Sequence, residues 1–174
     1  NHPERETTDM TARVRALAPA PADLQRRQLL LGAGLLCAEA LGAMEAVFEA
    51  TLEYLKTRQQ FGAPIGKFQA LQHRMALAKA ELEAARLMTY SAAERFDAGE
   101  DAGAHANMAK LLASRAAVSA VEAAIQTHGG YAFDRDYDIV TLWPMVRLME
   151  IAPINNEMLL NYIGEHVLGL PKSY

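Results

Sequence analysis

Phe68, Leu71, Met75, Ala78, Leu82 and Ala85 follow one another at alternating steps of three and four. Only an α-helix returns such positions to one side, so the stretch predicts a helix with a single buried seam. Glu81, Glu83, Arg86, Glu94 and Arg95 are available for its outer face. Comparable spacing links Leu24, Leu31, Leu35, Ala38, Leu41, Val47, Phe48, Leu52 and Leu55, and then Met108, Leu111, Leu112, Val118, Val121 and Ile125. The predicted helices span 21–57, 65–97 and 102–128. The first, at ~1.5 Å per residue, approaches ~50 Å. Shorter helices are predicted over 139–151, near Pro144, and over 155–168, with Asn155 or Asn156 as N-cap. Gly99 and the Gly129–Gly130 pair read as stops, and no period-2 segment is visible. Long helices joined by short turns must run antiparallel, which predicts an all-α, up-down bundle over 21–174. Residues 1–20, polar and then rich in Ala and Pro, read as a flexible tail or linker.

Composition narrows the function. The chain has 174 residues, of which 51% are hydrophobic, enough for one substantial core. A net charge of −4 gives no basic footprint for nucleic acid. The single cysteine, Cys37, lies in an apolar run and reads as a buried structural thiol in a reducing cytoplasm. No apolar run reaches the ~18 residues of a membrane span, and no signal peptide is visible. The first residue is Asn1 rather than Met, which reads as a processed or truncated piece. His2, His73, His105, His128 and His166 are scattered without metal-ligand spacing. There is no nucleophile elbow and no P-loop. Gly32, Gly34 and Gly42 follow no strand, so they suggest close helix packing rather than a dinucleotide fingerprint.

Two loops stand out. Arg58 closes the first long helix, and Gly62, Pro64 and Gly66 break the chain before the second. Its guanidinium could satisfy the last carbonyls of its own helix, or reach outward as a fork for a phosphate. In QTHGG, Gln126 precedes Gly129 and Gly130. The glycines could be a plain helix stop, or could let a flat or charged ligand approach the backbone while Gln126 hydrogen-bonds it.

Taken together and in order, these blocks resemble the C-terminal helical domain of the acyl-CoA dehydrogenase family. The likeness covers roughly 150 residues, from Leu24 onward. Arg58, Phe61, Gly62, Ile65, Gly66, Phe68 and Gln69 match its R-x-x-F-G…I-G-x-F-Q block. Gln126, Gly129, Gly130, Ala132 and Phe133 match its Q-x-x-G-G block. The resemblance implies a four-helix bundle with short extra C-terminal helices, assembled as homo- or hetero-oligomers. It implies FAD shared across a subunit interface, with Arg58 projecting toward the pyrophosphate of a neighbour's cofactor. Phe61 and Phe68 would anchor the turn near the adenosine end. Gln69, Gln126, Gly129, Gly130, Asn155 and Glu157 complete the implied cofactor-binding set. An acyl-CoA substrate and an electron-transferring flavoprotein as acceptor follow from the same likeness.

The implied chemistry is α,β-dehydrogenation, in which a glutamate removes the α-proton and hydride leaves to the flavin. The usual glutamate position is Pro153 here, and an alternative position early on the first helix is Gly32. Neither can accept a proton, so no catalytic residue is assigned. Glu39 and Glu45 share that helix, with Glu39 ~10 Å further along. Three readings follow: one half of a heteromeric dehydrogenase whose paralogue carries the glutamate, a same-fold oxidase or monooxygenase, or a catalytically degenerate homologue. The family's N-terminal helical and middle β domains are not among these residues, so this chain alone is expected to bind FAD weakly or not at all.

Overall fold

A computed structural model describes residues 21–173, with side chains from Leu24 onward. The expected tail at 1–20 lies outside the described residues. Helix α1 is Pro21–Thr57. A two-residue hairpin follows, β1 (Gln59–Gln60) antiparallel to β2 (Ala63–Pro64). A 3-10 turn, Ile65–Lys67, then leads into α2 (Gln69–Asp97). Next come α3 (Gly103–His128), a 3-10 segment (Gly129–Phe133), α4 (Leu142–Met149) and α5 (Asn156–Tyr162). Ile163–Val167 closes the chain as a π-helical turn. Compact units divide at Gly32; the unit beginning at Ala33 contains the bundle, and residues 21–32 are described only as helix.

The direction of each long helix is legible from its side-chain partners. Glu45 pairs with Arg86, and Lys79 lies over Phe48, so α2 descends as α1 rises. Tyr54 stacks on His128 at the far end of α3, so α3 rises beside α1. The core is built from one face of each. Cys37, Ala40, Leu41, Met44 and Val47 meet Leu82 and Ala85 of α2, and Ala113, Ala117, Val121 and Ala124 of α3. Alanine at the α3 positions fits a helix enclosed by neighbours, and each fully buried Leu or Met adds about 2–3 kcal/mol. A smaller cluster of Tyr54, Leu55, Ile65 and Met75 supports the α1–α2 turn.

Several expectations need correcting. The helix predicted from 65 starts at Gln69, because Phe68 is extended and residues 65–67 form a tighter turn. The helix predicted over 139–151 is shorter, Leu142–Met149, and the last one passes into a π turn at Ile163 instead of continuing to 168. The hairpin strands, two residues each, are too short to show a period in sequence. Close helix packing at Gly32, Gly34 and Gly42 is not seen among the described residues: a Cβ there would meet none of their atoms within 4 Å.

The membrane expectation also changes. Between Leu24 and Thr57, α1 holds an 18-residue window of mean hydropathy 1.6, long and apolar enough by composition to cross a bilayer. Isolated carboxylates such as Glu39 interrupt the apolar run, yet the window average stays at 1.6. From Cys37 onward a core face accounts for part of that hydropathy, since Cys37, Ala40, Leu41, Met44 and Val47 are buried in the bundle.

Candidate functional site

The first loop is built to be tight. Arg58 N donates to Tyr54 O at 2.8 Å, finishing α1, and Ile65 N donates back to Arg58 O at 2.9 Å. Between them, Phe61 (φ 54°) and Gly62 (φ 78°) both adopt positive φ, as a two-residue hairpin requires. Phenylalanine is a costly choice there, and its ring is 92% exposed rather than anchored in a core. Phe68 stands edge-on to it at 6.1 Å. Gly66 has a separate explanation. A Cβ at this position would stand 2.8 Å from Leu55 O, so glycine lets the turn lie directly on α1. Gln72 Nε2 donates to Gly66 O at 2.8 Å and closes the turn from the α2 side.

The second loop meets the first. Gly129, at φ 60°, terminates α3 and turns the chain into the 3-10 segment that carries Tyr131. The Arg58 guanidinium lies over the Tyr131 ring, with Cζ 4.9 Å from its centroid. Beside it, His128 is stacked 4.2 Å from Tyr54, and Tyr137 stands edge-on to Tyr54, His128 and Tyr131. Arg58 therefore rests on its own chain's Tyr131, where the sequence reading had it projecting outward to another subunit. The two motifs, some seventy residues apart, form one surface.

That surface fits a flat anionic group. Arg58 has no acidic partner among the described residues. Gly129 and Gly130 are exposed, and a Cβ on either would meet nothing within 4 Å, so the backbone is approachable. Gln126 is exposed one turn earlier and Gln69 is exposed at the start of α2. His128 is 4% exposed; its Nδ1 donates to Ala124 O at 2.9 Å, and Nε2 has no hydrogen-bond partner among the described residues. Burial lowers the imidazole below its ordinary pKa, with the bond to Ala124 opposing.

The third region is the segment between α4 and α5. Pro153 is exposed and carries no titratable group. Asn155 is the N-cap of α5, its Oδ1 accepting from Met158 N at 2.9 Å, and Glu157 is exposed in the first turn. Of the carboxylates considered as substitute bases, Glu45 is paired with Arg86, whereas Glu39 is exposed. Glu150 is held by Arg147 at 2.6 Å.

Sequence reasoning missed the group beneath this segment. Lys110 is 5% exposed, and its Nζ donates to Ile154 O at 2.7 Å and to Asn156 Oδ1 at 3.1 Å. Ser114 Oγ donates to the same Asn156 oxygen at 3.0 Å. Desolvation holds the Lys110 amine below the usual lysine range, against Cys37, Glu150 and Glu157, which favour its charged form. The signal was present: Lys110 and Ser114 are four apart, in line with Ala106, Ala117 and Val121 on the buried side of α3.

Comparison with known proteins bears on the family and the fold. Residues 22–168 match the family model described as acyl-CoA dehydrogenase, C-terminal domain. The chain is 41% identical over 139 residues to acyl-CoA dehydrogenase FadE12 of Mycobacterium tuberculosis, covering 79% of this chain and 36% of that protein. Its fold superposes on PigA with FAD and proline at a TM-score of 0.78 and 39% identity, covering 81% of this chain and 37% of that one. Butyryl-CoA dehydrogenase of Megasphaera elsdenii gives 0.76 and 34% identity, with 79% and 36% covered. The chain thus spans little more than a third of the length of these relatives. The chain belongs to the acyl-CoA dehydrogenase family, matching its C-terminal helical domain.

Proposed function

We propose that this domain serves an FAD-dependent acyl-CoA dehydrogenase-type oxidoreductase, in the reducing cytoplasm, as one part of an oligomer. Its role is to present the Arg58–Tyr131 surface to the diphosphate of FAD held mainly by another subunit. The observation that carries this reading is the meeting of Arg58 with the Gly129–Tyr131 loop. A guanidinium without an acidic partner, beside open glycine backbone, is the donor set a diphosphate needs. The neighbouring structure with FAD and proline supports that cofactor. The flavin would supply the hydride acceptor. This chain's residues would orient it: Arg58 by a charge-assisted contact, the exposed Gly129 and Gly130 by close approach of backbone, and Gln126 and Gln69 by hydrogen bonds. Phe61 and Phe68 would flank the adenosine end, and Asn155 and Glu157 would face the site from the far loop.

Proton abstraction is not assigned to this chain. Pro153 and Gly32 occupy the positions where the family places its glutamate, and Glu45 is engaged by Arg86. We infer a paralogous subunit that carries the glutamate, an acyl-CoA thioester as substrate and an electron-transferring flavoprotein as acceptor.

The test uses the full-length protein that contains this domain. It should bind FAD, and Arg58→Ala should weaken binding about 10- to 100-fold, the scale of one charge-assisted hydrogen-bond set. Unchanged flavin affinity in that variant would remove Arg58 from the site. Mixed anaerobically with acyl-CoA, the protein alone should leave the flavin oxidised, and a glutamate-bearing partner should bleach it. Bleaching without any partner would overturn the divided arrangement.

A further inference from the structure

A groove of about 760 Å³, whose lining does not include Arg58 or Tyr131, opens between the end of α1 and the start of α2. Phe48, Leu52, Leu55 and Met75 line its interior, and Lys56, Lys67 and Lys79 stand among its lining residues. The lining thus combines apolar side chains with three lysines, of which Lys56 and Lys67 are exposed. Gln72, the amide in the wall, already donates to Gly66 O at 2.8 Å. Lys56 and Lys67 are exposed and have no acidic partner among the described residues; Lys79 pairs with Glu83 and leans over Phe48, its Nζ 5.7 Å from the ring centroid. In a chain of net charge −4, three ammonium groups around one apolar groove run against the overall balance.

We propose that this groove binds a carboxylate-headed aliphatic chain, a free fatty acid of medium to long length. The volume lies within the range of ~300–1,000 Å³ typical of small-molecule sites. Lysine stems extend the apolar wall while their ammonium groups stay in water, which places positive charge where the head of an amphiphile emerges. An uncharged apolar ligand would leave Lys56 and Lys67 without an anionic partner, and a cationic one would meet repulsion. The inference is independent of flavin binding, since the groove shares neither Arg58 nor the Gly129–Tyr131 loop.

Isothermal titration of the full chain as purified, with dodecanoate below its micellar concentration, tests this directly. Saturable one-to-one binding is expected, weakening as salt rises. Lys56→Glu/Lys67→Glu, both changes at exposed positions, should weaken it about tenfold or more. Ala76→Trp should abolish it by filling the groove, with circular dichroism confirming that each variant is folded. Acetate and dodecyltrimethylammonium should bind far more weakly. Absence of saturable binding, equal binding of the cationic amphiphile, or insensitivity to both variants would each overturn the proposal. So would sedimentation showing that Ala76→Trp splits an oligomer, because a second copy would then be the occupant.

Discussion

Lys110 Nζ and Asn156 Oδ1 lie 3.1 Å apart inside the bundle, joining α3 to the first residue of α5. The same ammonium donates to Ile154 O at 2.7 Å, so one buried side chain holds the backbone before Asn155 and the side chain after it. Its partners are neutral oxygens, which makes the pair sensitive to which member is removed.

Asn156→Ala should cost about 2–3 kcal/mol, because it leaves a buried ammonium with one acceptor fewer and Ser114 without its side-chain acceptor. Lys110→Met should cost less, since it also removes the charge that burial penalises. Urea denaturation of both variants checks the order. A larger loss for Lys110→Met would show that the hydrogen bonds of the ammonium outweigh the cost of burying it.

Gly66→Ala places a Cβ 2.8 Å from Leu55 O, a backbone atom that cannot swing aside. A loss of about 1–3 kcal/mol is expected. Gly34→Ala, in open space on α1, should instead be neutral or slightly stabilising. Thermal melts of the two variants should move in opposite directions or differ clearly in size.

His128 should make the fold acid-sensitive. Its folded pKa is lowered from the ordinary 6.5 by burial. The unfolded chain therefore takes up a proton first as pH falls through that value, and stability drops until the folded form also protonates. His128→Gln should flatten the dependence of unfolding free energy between about pH 7.5 and pH 5. Equal slopes for both proteins would show that the ring ionises normally.

Cys37 should be silent toward thiol reagents in the native state. It is 1% exposed, and burial pushes its thiol up to about 11. At pH 8 the thiolate fraction is on the order of one in a thousand. Iodoacetamide should label it only after unfolding, and rapid native labelling would contradict its placement in the core.

Much of this protein was legible in its residues. Steps of three and four marked the long helices, since a buried helical face has no other spacing. Positive-φ glycines marked the stops, as Gly99 at 73° and Gly129 at 60° show. The matched motif blocks named the loops that face one another. Other features depended on distant partners. Only the fold could show that Gly66 answers to Leu55 O, that a Cβ at Gly34 or Gly42 of α1 would meet no atom of the described residues within 4 Å, or that Arg58 lies on Tyr131. Local pattern sets which side of a helix is buried, through periodicity and backbone sterics. Which buried lysine meets which asparagine, forty-six residues on, is decided by how the helices pack, because desolvation and hydrogen bonding act across space and not along the chain.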